Sequence, residues 1–268
     1  MMAKRMRVPH IWQFRETFEQ FSLSFSMPLS SSKRILSDKT NKKFVLISDY
    51  MQNSFRQYLP NDRITKVYNG VNLPKGVIRN GENVLKERLQ IACVGIMCEQ
   101  KNQLELLKAQ NLLHKEGIEV DTWLIGAAKS EYTELINDFV KKNGLQELVH
   151  IVGHSNDVFG VLQDMNLGVV AAHDEAFGRV TVEFMLMRMP VVVSRSGANT
   201  ELIEPGVTGE IYNLGDIEAL AKAIKQYVDY PELLEQQGVE AKLKAENEFS
   251  AERNADQIYK QIENVLKD

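Results

Sequence analysis

The sequence predicts an α/β protein built on a doubly wound, mostly parallel β-sheet, and two observations lead to this prediction. From about residue 90 onward, short apolar runs alternate with amphipathic stretches. Glycines stand at the ends of many of these runs, where turns between strands and helices need them. Regular alternation of strand and helix implies right-handed βαβ crossovers and therefore a parallel sheet with helices on both faces.

The individual elements follow from local patterns. Six apolar runs predict strands: LQIACVG (89–95), VDTWLIG (120–126), LVHIVG (148–153), NLGVVAA (166–172), PVVVS (190–194) and GEIYN (209–213). The amphipathic stretches 102–117 and 131–144 predict helices that end at a glycine. After residue 214 the pattern predicts three further helices, the last with Ser250 as its N-cap.

The first 75 residues follow a different pattern. VPHIWQF (8–14), KKFVLIS (42–48) and the start of RITKVYNGVNLP (63–74) predict strands, and the Ser-rich stretch 21–34 predicts a loop with some helix. Two or three strands cannot form an α/β domain with both faces covered. We therefore expect residues 1–60 to be the tail end of a lobe whose beginning is absent.

Composition excludes several classes of function. The chain carries 32 basic and 36 acidic side chains, a net charge of −4, so no global basic field favours nucleic acid. The five histidines are scattered, which argues against a structural metal site. Cys93 and Cys98 are expected to be reduced thiols. Apolar runs are too short to cross a bilayer, and the N-terminus lacks the apolar region of a secretory signal, so we expect a cytoplasmic protein.

The densest group of candidate functional residues lies in HDEAFGRVTVEFMLMRMPVVVS (173–194). A strand ends before a loop that carries Glu175, and a helix begins at Gly178-Arg179 and must end before Pro190. Free backbone amides at a helix start, placed at the carboxyl end of a parallel strand, form a natural cradle for phosphate.

Two carboxylates of this segment, Glu175 and Glu183, stand eight residues apart. Glu183 falls about one turn inside the helix, where a carboxylate can accept two hydrogen bonds from a vicinal diol such as a ribose. Spacing alone leaves a second interpretation open, in which both are solvated surface acids.

The same segment resembles the Glu-x7-Glu signature of the retaining nucleotide-sugar glycosyltransferases called group 1 or family 4, glycogen-synthase-like enzymes with the GT-B fold. Further motifs follow the family order: FVLIS (44–48), KVYNGVN (66–72), VGIMCEQKNQLELLKA (94–109), EAFGRVTVE (175–183) and SGANTELIEPGVTGEIY (196–212). The resemblance covers roughly residues 8–268. It implies a remnant of an N-terminal acceptor-binding lobe at 1–70, a Rossmann-like nucleotide-sugar-binding domain at 71–250, and a C-terminal helix at 251–268 that packs back toward the first lobe.

The resemblance also implies roles for particular residues. Glu183 would bind the donor ribose, Glu175 would contact the sugar hydroxyls, and Lys101 would neutralise the departing diphosphate. Backbone amides of Gly178, Arg179 and Val180 would hold the phosphates. The binding set is completed by Phe177, Gly95, Gly126 and His154, of which Gly126 and His154 would shape the base pocket; a solvated loop position is the other interpretation of His154.

The chain departs from the family pattern at two places. The family usually has an arginine after the glycine of its first motif, where this chain has Ile96. Many relatives carry a donor-facing histidine in the first lobe, where this chain has Arg15 and Glu16. A phosphate-binding cation and a first-lobe contact are therefore absent or supplied elsewhere.

The resemblance implies a retaining glycosyltransferase of polysaccharide or glycoconjugate biosynthesis. It would use a UDP-sugar, or a GDP-sugar, as donor and a glycan or lipid-linked acceptor, with no metal or other cofactor. Because most of the first lobe has no counterpart, we expect this chain alone to bind its donor weakly and to transfer little sugar. Peripheral membrane contact, and a partner chain or homodimer over the incomplete lobe, are further expectations.

Alternative functions remain open at this point. The first is a non-catalytic nucleotide-sugar-binding subunit that completes its cleft with a partner chain. A sugar epimerase of the same fold fits the motif around Lys101 less well. A dinucleotide oxidoreductase fits less still, because no G-x-G-x-x-G follows the first strand of the alternating region.

Overall fold

The computed structural model describes residues 6, 8–18, 28–77, 79, 81–85, 87–127 and 130–267. The chain divides into two compact units: a small unit of residues 1–71 and 248–268, and a large unit of residues 72–247. Part of the predicted Ser-rich loop, residues 21–27, lies outside the described residues.

The small unit contains a parallel three-stranded sheet in the order β1-β2-β3. The elements are β1 (His10–Phe14), α1 (Leu29–Leu36), β2 (Asn41–Leu46), α2 (Asp49–Phe55) and β3 (Ile64–Lys66), with a 3-10 turn at Asn61–Arg63. The three predicted strands are confirmed. Helix α2 was not predicted, although Ser48 is a recognisable N-cap whose Oγ accepts a hydrogen bond from the Met51 amide at 3.0 Å.

The large unit contains the six-stranded sheet that the sequence predicts, with the order β6-β5-β4-β7-β8-β9 and parallel pairing throughout. Its strands are β4 (Leu89–Val94), β5 (Val120–Ile125), β6 (Val149–Gly153), β7 (Leu167–Val170), β8 (Val191–Ser194) and β9 (Gly209–Tyr212). Every residue of β7 and β8 is buried, as expected of inner strands covered on both faces. The doubly wound α/β fold is confirmed.

Helices connect these strands and cover the sheet. They are α3 (Gln103–Lys115), α4 (Ser130–Lys142), α5 (Val158–Leu162), α6 (Arg179–Leu186), α7 (Asn199–Leu202), α8 (Ile217–Asp229) and α9 (Glu232–Glu248). Leu106 of α3, Ile136 of α4 and Ile224 of α8 are fully buried in one core. Helix α6 ends at Leu186, before Pro190, as its sequence predicts.

The order of the strands creates a switch point between β4 and β7. From β4 the chain adds β5 and β6 in one direction, and from β7 it adds β8 and β9 in the other. The loops that follow β4 and β7 therefore diverge and leave a crevice at the carboxyl edge of the sheet. Crevices of this kind are where open α/β sheets bind ligands.

At the opposite, amino edge of the sheet, a cluster of polar residues connects the starts of β4 and β7 by hydrogen bonds. The side chain of Asn83 is fully buried, and its Nδ2 donates to the Asn166 carbonyl at 2.8 Å. Asn166 donates back from Nδ2 to Asn83 Oδ1 at 3.0 Å, and its own Oδ1 accepts from the Gln90 amide at 3.0 Å. These bonds join the segment that leads into β4 to the loop that leads into β7.

The last helix, α10 (Ala251–Lys267), belongs to the small unit. Asn254 Nδ2 donates to the Tyr68 carbonyl at 2.5 Å, and the Val71 amide donates to the Phe249 carbonyl at 2.8 Å. A Cβ at Gly70 would lie 2.5 Å from the Cα of Ala251, so this contact requires glycine. No helix in the described part of the chain combines the length and the apolar composition needed to span a bilayer.

Candidate functional site

A small hollow opens at the carboxyl ends of β4 and β7, at the switch point of the sheet. We call it the switch-point hollow. Its volume of ≈ 90 Å³ is the share of about three water molecules, so it fits a group of phosphoryl size rather than a whole nucleotide sugar. The hollow is lined by Cys93, Val94, Lys101, Val169, Val170, Ala171, Ala172, Glu175, Gly178, Arg179 and Val180. Five predicted site residues, Lys101, Glu175, Gly178, Arg179 and Val180, are thus brought together.

Lys101 reaches the hollow from the loop that follows β4. The lysine stem packs beside Gly95, where the backbone φ of +149° favours glycine. The loop closes as the amides of Lys101 and Asn102 both donate to the Cys98 carbonyl, at 3.0 and 3.1 Å. Asn102 then adopts the left-handed conformation, φ 52°, and starts α3.

Glu175 faces Lys101 across the hollow from the loop that follows β7. Its Oε1 forms an ion pair with the Lys101 Nζ, and the two side chains are 16% and 29% exposed. The two loops also meet through the backbone, because the His173 amide donates to the Gln100 carbonyl at 2.8 Å. Both side chains of this ion pair are largely desolvated and border an open space, so a ligand in the hollow could form charge-assisted hydrogen bonds with either of them.

The loop that follows β8, where no site residue was predicted from the sequence, holds the backbone around Glu175 by hydrogen bonds. The Ala198 amide donates to the Glu175 carbonyl at 2.7 Å, and Ser196 Oγ accepts from the Asp174 amide at 2.8 Å. A Cβ on Gly197 would lie 2.3 Å from the Glu175 carbonyl oxygen, at φ +59°. The signal for this support was the SGANTE run, where glycine and small polar residues occupy the turn.

Helix α6 contributes its N-terminus to the hollow. Gly178 precedes the helix with φ 90° and ψ 54°, and a Cβ there would lie 2.6 Å from Asn199 Oδ1. The first amides of a helix have no partner inside it, so those of Arg179 and Val180 are available to an anion. Phe177 is 3% exposed and lies outside the set that lines the hollow.

Glu183 lies one turn into α6 and is linked to the hollow through Arg179. Its Oε1 accepts from the Arg179 Nε at 2.9 Å. The Arg179 side chain is 69% exposed and the Glu183 side chain 16% exposed. A pair this exposed on its cationic side contributes little to stability, so Arg179 can leave Glu183 at low cost.

Comparison with known proteins assigns the large unit of this chain to a family. The sequence model described as "Glycosyl transferases group 1" matches residues 75–244, which covers the whole sheet of the large unit. The chain belongs to the group 1 glycosyltransferase family. The family predicted from the sequence motifs is confirmed.

Individual relatives are similar over much of this chain. The capsular polysaccharide biosynthesis glycosyltransferase CapM of Staphylococcus aureus is 24% identical over 75% of the chain and 54% of its own length. The lipopolysaccharide core biosynthesis mannosyltransferase LpcC of Rhizobium leguminosarum bv. viciae is 29% identical over 69% of the chain and 53% of its own length. The chain thus spans about half the length of these relatives.

Solved structures share the fold. The Anabaena protein Alr3699/HepE, in its complex with UDP and glucose, has a TM-score of 0.81 and 21% identity over 97% of this chain and 73% of its own chain. Sucrose-phosphate synthase from Thermosynechococcus elongatus has a TM-score of 0.80 and 19% identity over 96% of this chain and 68% of its own chain. At this identity the likeness concerns the fold.

The remaining predicted residues of this family member lie beside the hollow or away from it. Gly126 directly follows β5, and its amide donates to the Gly153 carbonyl at 2.7 Å. It does not line the hollow but lies close to Gly95, beside which the Lys101 stem packs. His154 follows β6 and is exposed, outside the lining of the hollow. Their roles in a base pocket stay predictions.

The position of the family arginine is occupied by a solvent-facing side chain. Ile96 is 51% exposed and does not line the hollow. Arg179, the first residue of α6, does line it. In the described part of the chain, no group of three or more His, Cys, Asp or Glu side chains has a geometry suited to a metal ion.

The two cysteines differ in burial, and we predict from this that they differ in reactivity. Cys93 is buried and lines the hollow. Burial raises the pKa of its thiol to about 12, and the nearby positive charge of Lys101 offsets only part of that rise. Because the thiolate is the form that reacts, Cys93 should react slowly. Cys98 is partly exposed and is therefore accessible to a reagent. Iodoacetamide at neutral pH should therefore alkylate Cys98 and spare Cys93, as peptide mass mapping will show. Equal labelling of both thiols in the native protein, as expected after denaturation, would contradict this burial.

Proposed function

We propose that the switch-point hollow receives the diphosphate of a nucleotide-sugar donor, and that the protein transfers the sugar to a hydroxyl group of a glycan acceptor with retention of the anomeric configuration. One observation carries the proposal: Lys101 and the start of α6 converge on the hollow, with the two carboxylates of the Glu-x7-Glu segment beside it. The fold supports it as well, because ligands of open parallel sheets bind at the switch point.

The chemistry of transfer explains why positive charge belongs here. Breaking the bond between the anomeric carbon and the diphosphate oxygen leaves an additional negative charge on the departing nucleotide. A preorganised ammonium group and helix amides stabilise that charge more in the transition state than in the bound donor, which is what lowers the barrier. Lys101, partly buried and already oriented by Glu175, meets this requirement.

Glu175 and Glu183 take different parts of the donor in this proposal. Glu175 hydrogen-bonds hydroxyl groups of the sugar once the diphosphate engages Lys101, and Glu183 receives the two ribose hydroxyls in place of Arg179. Retention follows when the acceptor hydroxyl attacks the face that the leaving group vacates, and its proton passes to the departing phosphate oxygen.

UDP is the proposed nucleotide, and a cell-surface glycan the proposed acceptor. The Anabaena protein of the same fold has been crystallised with UDP and with UDP-glucose. Two similar sequences are named for capsular polysaccharide and lipopolysaccharide core biosynthesis. These relatives support the choice, which the following measurement tests.

Calorimetry and thermal unfolding with UDP, GDP, UDP-glucose, UDP-N-acetylglucosamine and GDP-mannose test donor binding directly. A ligand present at 100 times its dissociation constant should stabilise the protein by about 2.7 kcal/mol. We expect UDP and at least one UDP-sugar to raise the melting temperature, and the GDP compounds to have a smaller effect. If none of these diphosphates binds, the proposed function is wrong.

Replacing Glu175 with glutamine should strengthen the binding of UDP alone and lower the preference of the protein for UDP-sugar over UDP. The substitution breaks the ion pair of Lys101 and removes a negative charge beside the diphosphate. UDP alone should therefore bind up to about tenfold tighter, a change no larger than the free energy of a charge-assisted hydrogen bond. The preference for the preferred UDP-sugar over UDP should fall, because Glu175 no longer accepts from sugar hydroxyls.

Asp174→Asn is the matched control for this variant, since it removes the same charge from an exposed neighbouring position. It should leave both affinities near their original values. Weaker UDP binding by Glu175→Gln, with the control unchanged, would contradict the exchange of partners at Lys101. The pair of variants thus separates a local effect from a change in net charge.

A further inference from the structure

A second, larger cleft opens in the large unit at the amino edge of the sheet, and we call it the amino-edge cleft. Its volume of ≈ 670 Å³ lies within the range of roughly 300–1,000 Å³ typical of small-molecule sites. It is lined by Arg79, Glu82, Val84, Glu87, Arg88, Gln90, Trp123, Val161, Gln163, Asp164, Met165 and Asn166. From Gln90 to Val94 the strand advances about 13 Å, so this cleft and the switch-point hollow lie at opposite ends of β4.

The cleft exists because one face of the sheet is incompletely covered. Helices α3 and α4, of 13 residues each, follow β4 and β5 and cover one face through right-handed crossovers. The other face beneath β4, β5 and β6 depends on the connection from β6 to β7, whose helix α5 has only five residues. Trp123 and its neighbour in register, His150, are therefore only partly buried.

Trp123 supplies an aromatic surface whose polar atom is already satisfied. Its Nε1 donates to Gln90 Oε1 at 2.8 Å, and its ring lies 4.4 Å from the ring of His150. Gln90 in turn donates from Nε2 to Asp121 at 2.9 Å. The indole position is thus held by Gln90 on β4 and His150 on β6, which keeps it rigid without a ligand.

Polar groups of both signs surround this surface. Arg79, partly buried, donates to the Asn83 Oδ1 at 3.1 Å and to the Met187 carbonyl at 3.4 Å, and it has no carboxylate within ion-pair distance among the described residues. Gln163 is also partly buried. The exposed rim carries one cation and three carboxylates: Arg88, Glu82, Glu87 and Asp164.

This combination selects a class of ligand. An anion would meet three carboxylates, and a purely apolar molecule would desolvate charged groups without replacing their hydrogen bonds. A sugar ring has an apolar C–H face that packs against an aromatic ring, and hydroxyl groups that both donate to carboxylates and accept from guanidinium and amide groups. We propose that the amino-edge cleft binds a neutral oligosaccharide, as a glycan site separate from the switch-point hollow.

Calorimetry of the full chain with maltotriose, mannotriose, chitotriose and trigalacturonic acid tests this inference. At least one neutral trisaccharide should bind with a dissociation constant of about 1 mM or lower, and saturating UDP should leave that affinity unchanged. In a Trp12→Phe variant, Trp123 is the remaining tryptophan of the chain, so its fluorescence should change on titration with the same sugar.

Two substitutions locate the binding in the cleft. Trp123→Ala should weaken it about tenfold and leave UDP affinity unchanged. Asp164→Ala, at an exposed position, should weaken sugar binding several-fold without affecting folding. If Trp123→Ala does not fold, this second variant tests whether the sugar binds in the cleft. The inference is overturned if no neutral sugar binds, if only trigalacturonic acid binds, if UDP competes, or if Asp164→Ala and a folded Trp123→Ala bind as the original chain does. UDP binding measured alongside keeps that failure distinct from a failure of the proposed function.

Discussion

Replacing Lys101 with methionine should weaken UDP binding by about 10- to 100-fold. A charge-assisted hydrogen bond is worth roughly 1.5–3 kcal/mol, and each 1.4 kcal/mol is a tenfold change in affinity. The loss is expected at the upper end, because Glu175 is only 16% exposed and would stay behind as an unpaired carboxylate facing the diphosphate. Methionine keeps the apolar stem that lies against Gly95, so the fold should be retained.

Lys108→Met is the matched control for Lys101→Met. Lys108 belongs to the following helix, α3, and is exposed, so the same change of charge there should leave UDP affinity within about twofold, since the charges of exposed side chains are screened by salt. Titration calorimetry of both variants gives the comparison. Unchanged UDP affinity in Lys101→Met would place the diphosphate elsewhere and remove the main support for the proposed function.

Replacing Gly126 with alanine should lower the free energy of unfolding of the large unit by about 3–5 kcal/mol, the sum of overpacking and backbone strain. The added Cβ would lie 2.1 Å from the Gly95 carbonyl oxygen, at φ +150°. Neither strand end can yield, because the Gly95 amide donates to the Ile125 carbonyl at 2.9 Å and the Gly126 amide to the Gly153 carbonyl at 2.7 Å. The melting temperature should fall by roughly 10 °C.

Gly117→Ala separates the two causes of that loss. Gly117 also has a positive φ, +79°, but a Cβ there would meet nothing within 4 Å. It should cost only the strain of the left-handed conformation, about 1–2 kcal/mol. Chemical denaturation of both variants measures the difference. If Gly126→Ala were no less stable than Gly117→Ala, the close approach of the ends of β4 and β5 would be wrong.

Much of the fold could be predicted from the sequence because its signals are local. The strands β7 and β8 are continuous apolar runs, and α3 and α4 carry amphipathic periodicity with glycine beyond their last turns. Helix α2 was missed because its stretch is short and mixed in composition, although its Ser48 cap was visible. The residues of the β7-to-α6 loop could be singled out from glycine and charged residues after a strand, whereas Lys101 in the β4-to-α3 loop was named only through the resemblance to the family.

The environment of those loop residues was not predictable in the same way. Glu175 could be named from its motif, but its partner Lys101 lies 74 residues away, and the support from Ser196 and Ala198 comes from a third loop. Likewise, the resemblance to the family gave Arg179 a role only through its backbone amide, whereas the structure also places its side chain against Glu183. The roles assigned to these residues in catalysis stay predictions until the variants above are measured.

The sequence alone determined the element types, the α/β class and the family, because side-chain periodicity, caps and motif order act over a few residues along the chain. Only the tertiary structure decided that β4 and β7 are neighbours, that Lys101 and Glu175 form an ion pair in the hollow between them, and that a short α5 leaves a cleft beside Trp123. The physical reason is that strand pairing and the packing of helices on a sheet join residues far apart in sequence, so these contacts depend on the whole core rather than on any local pattern.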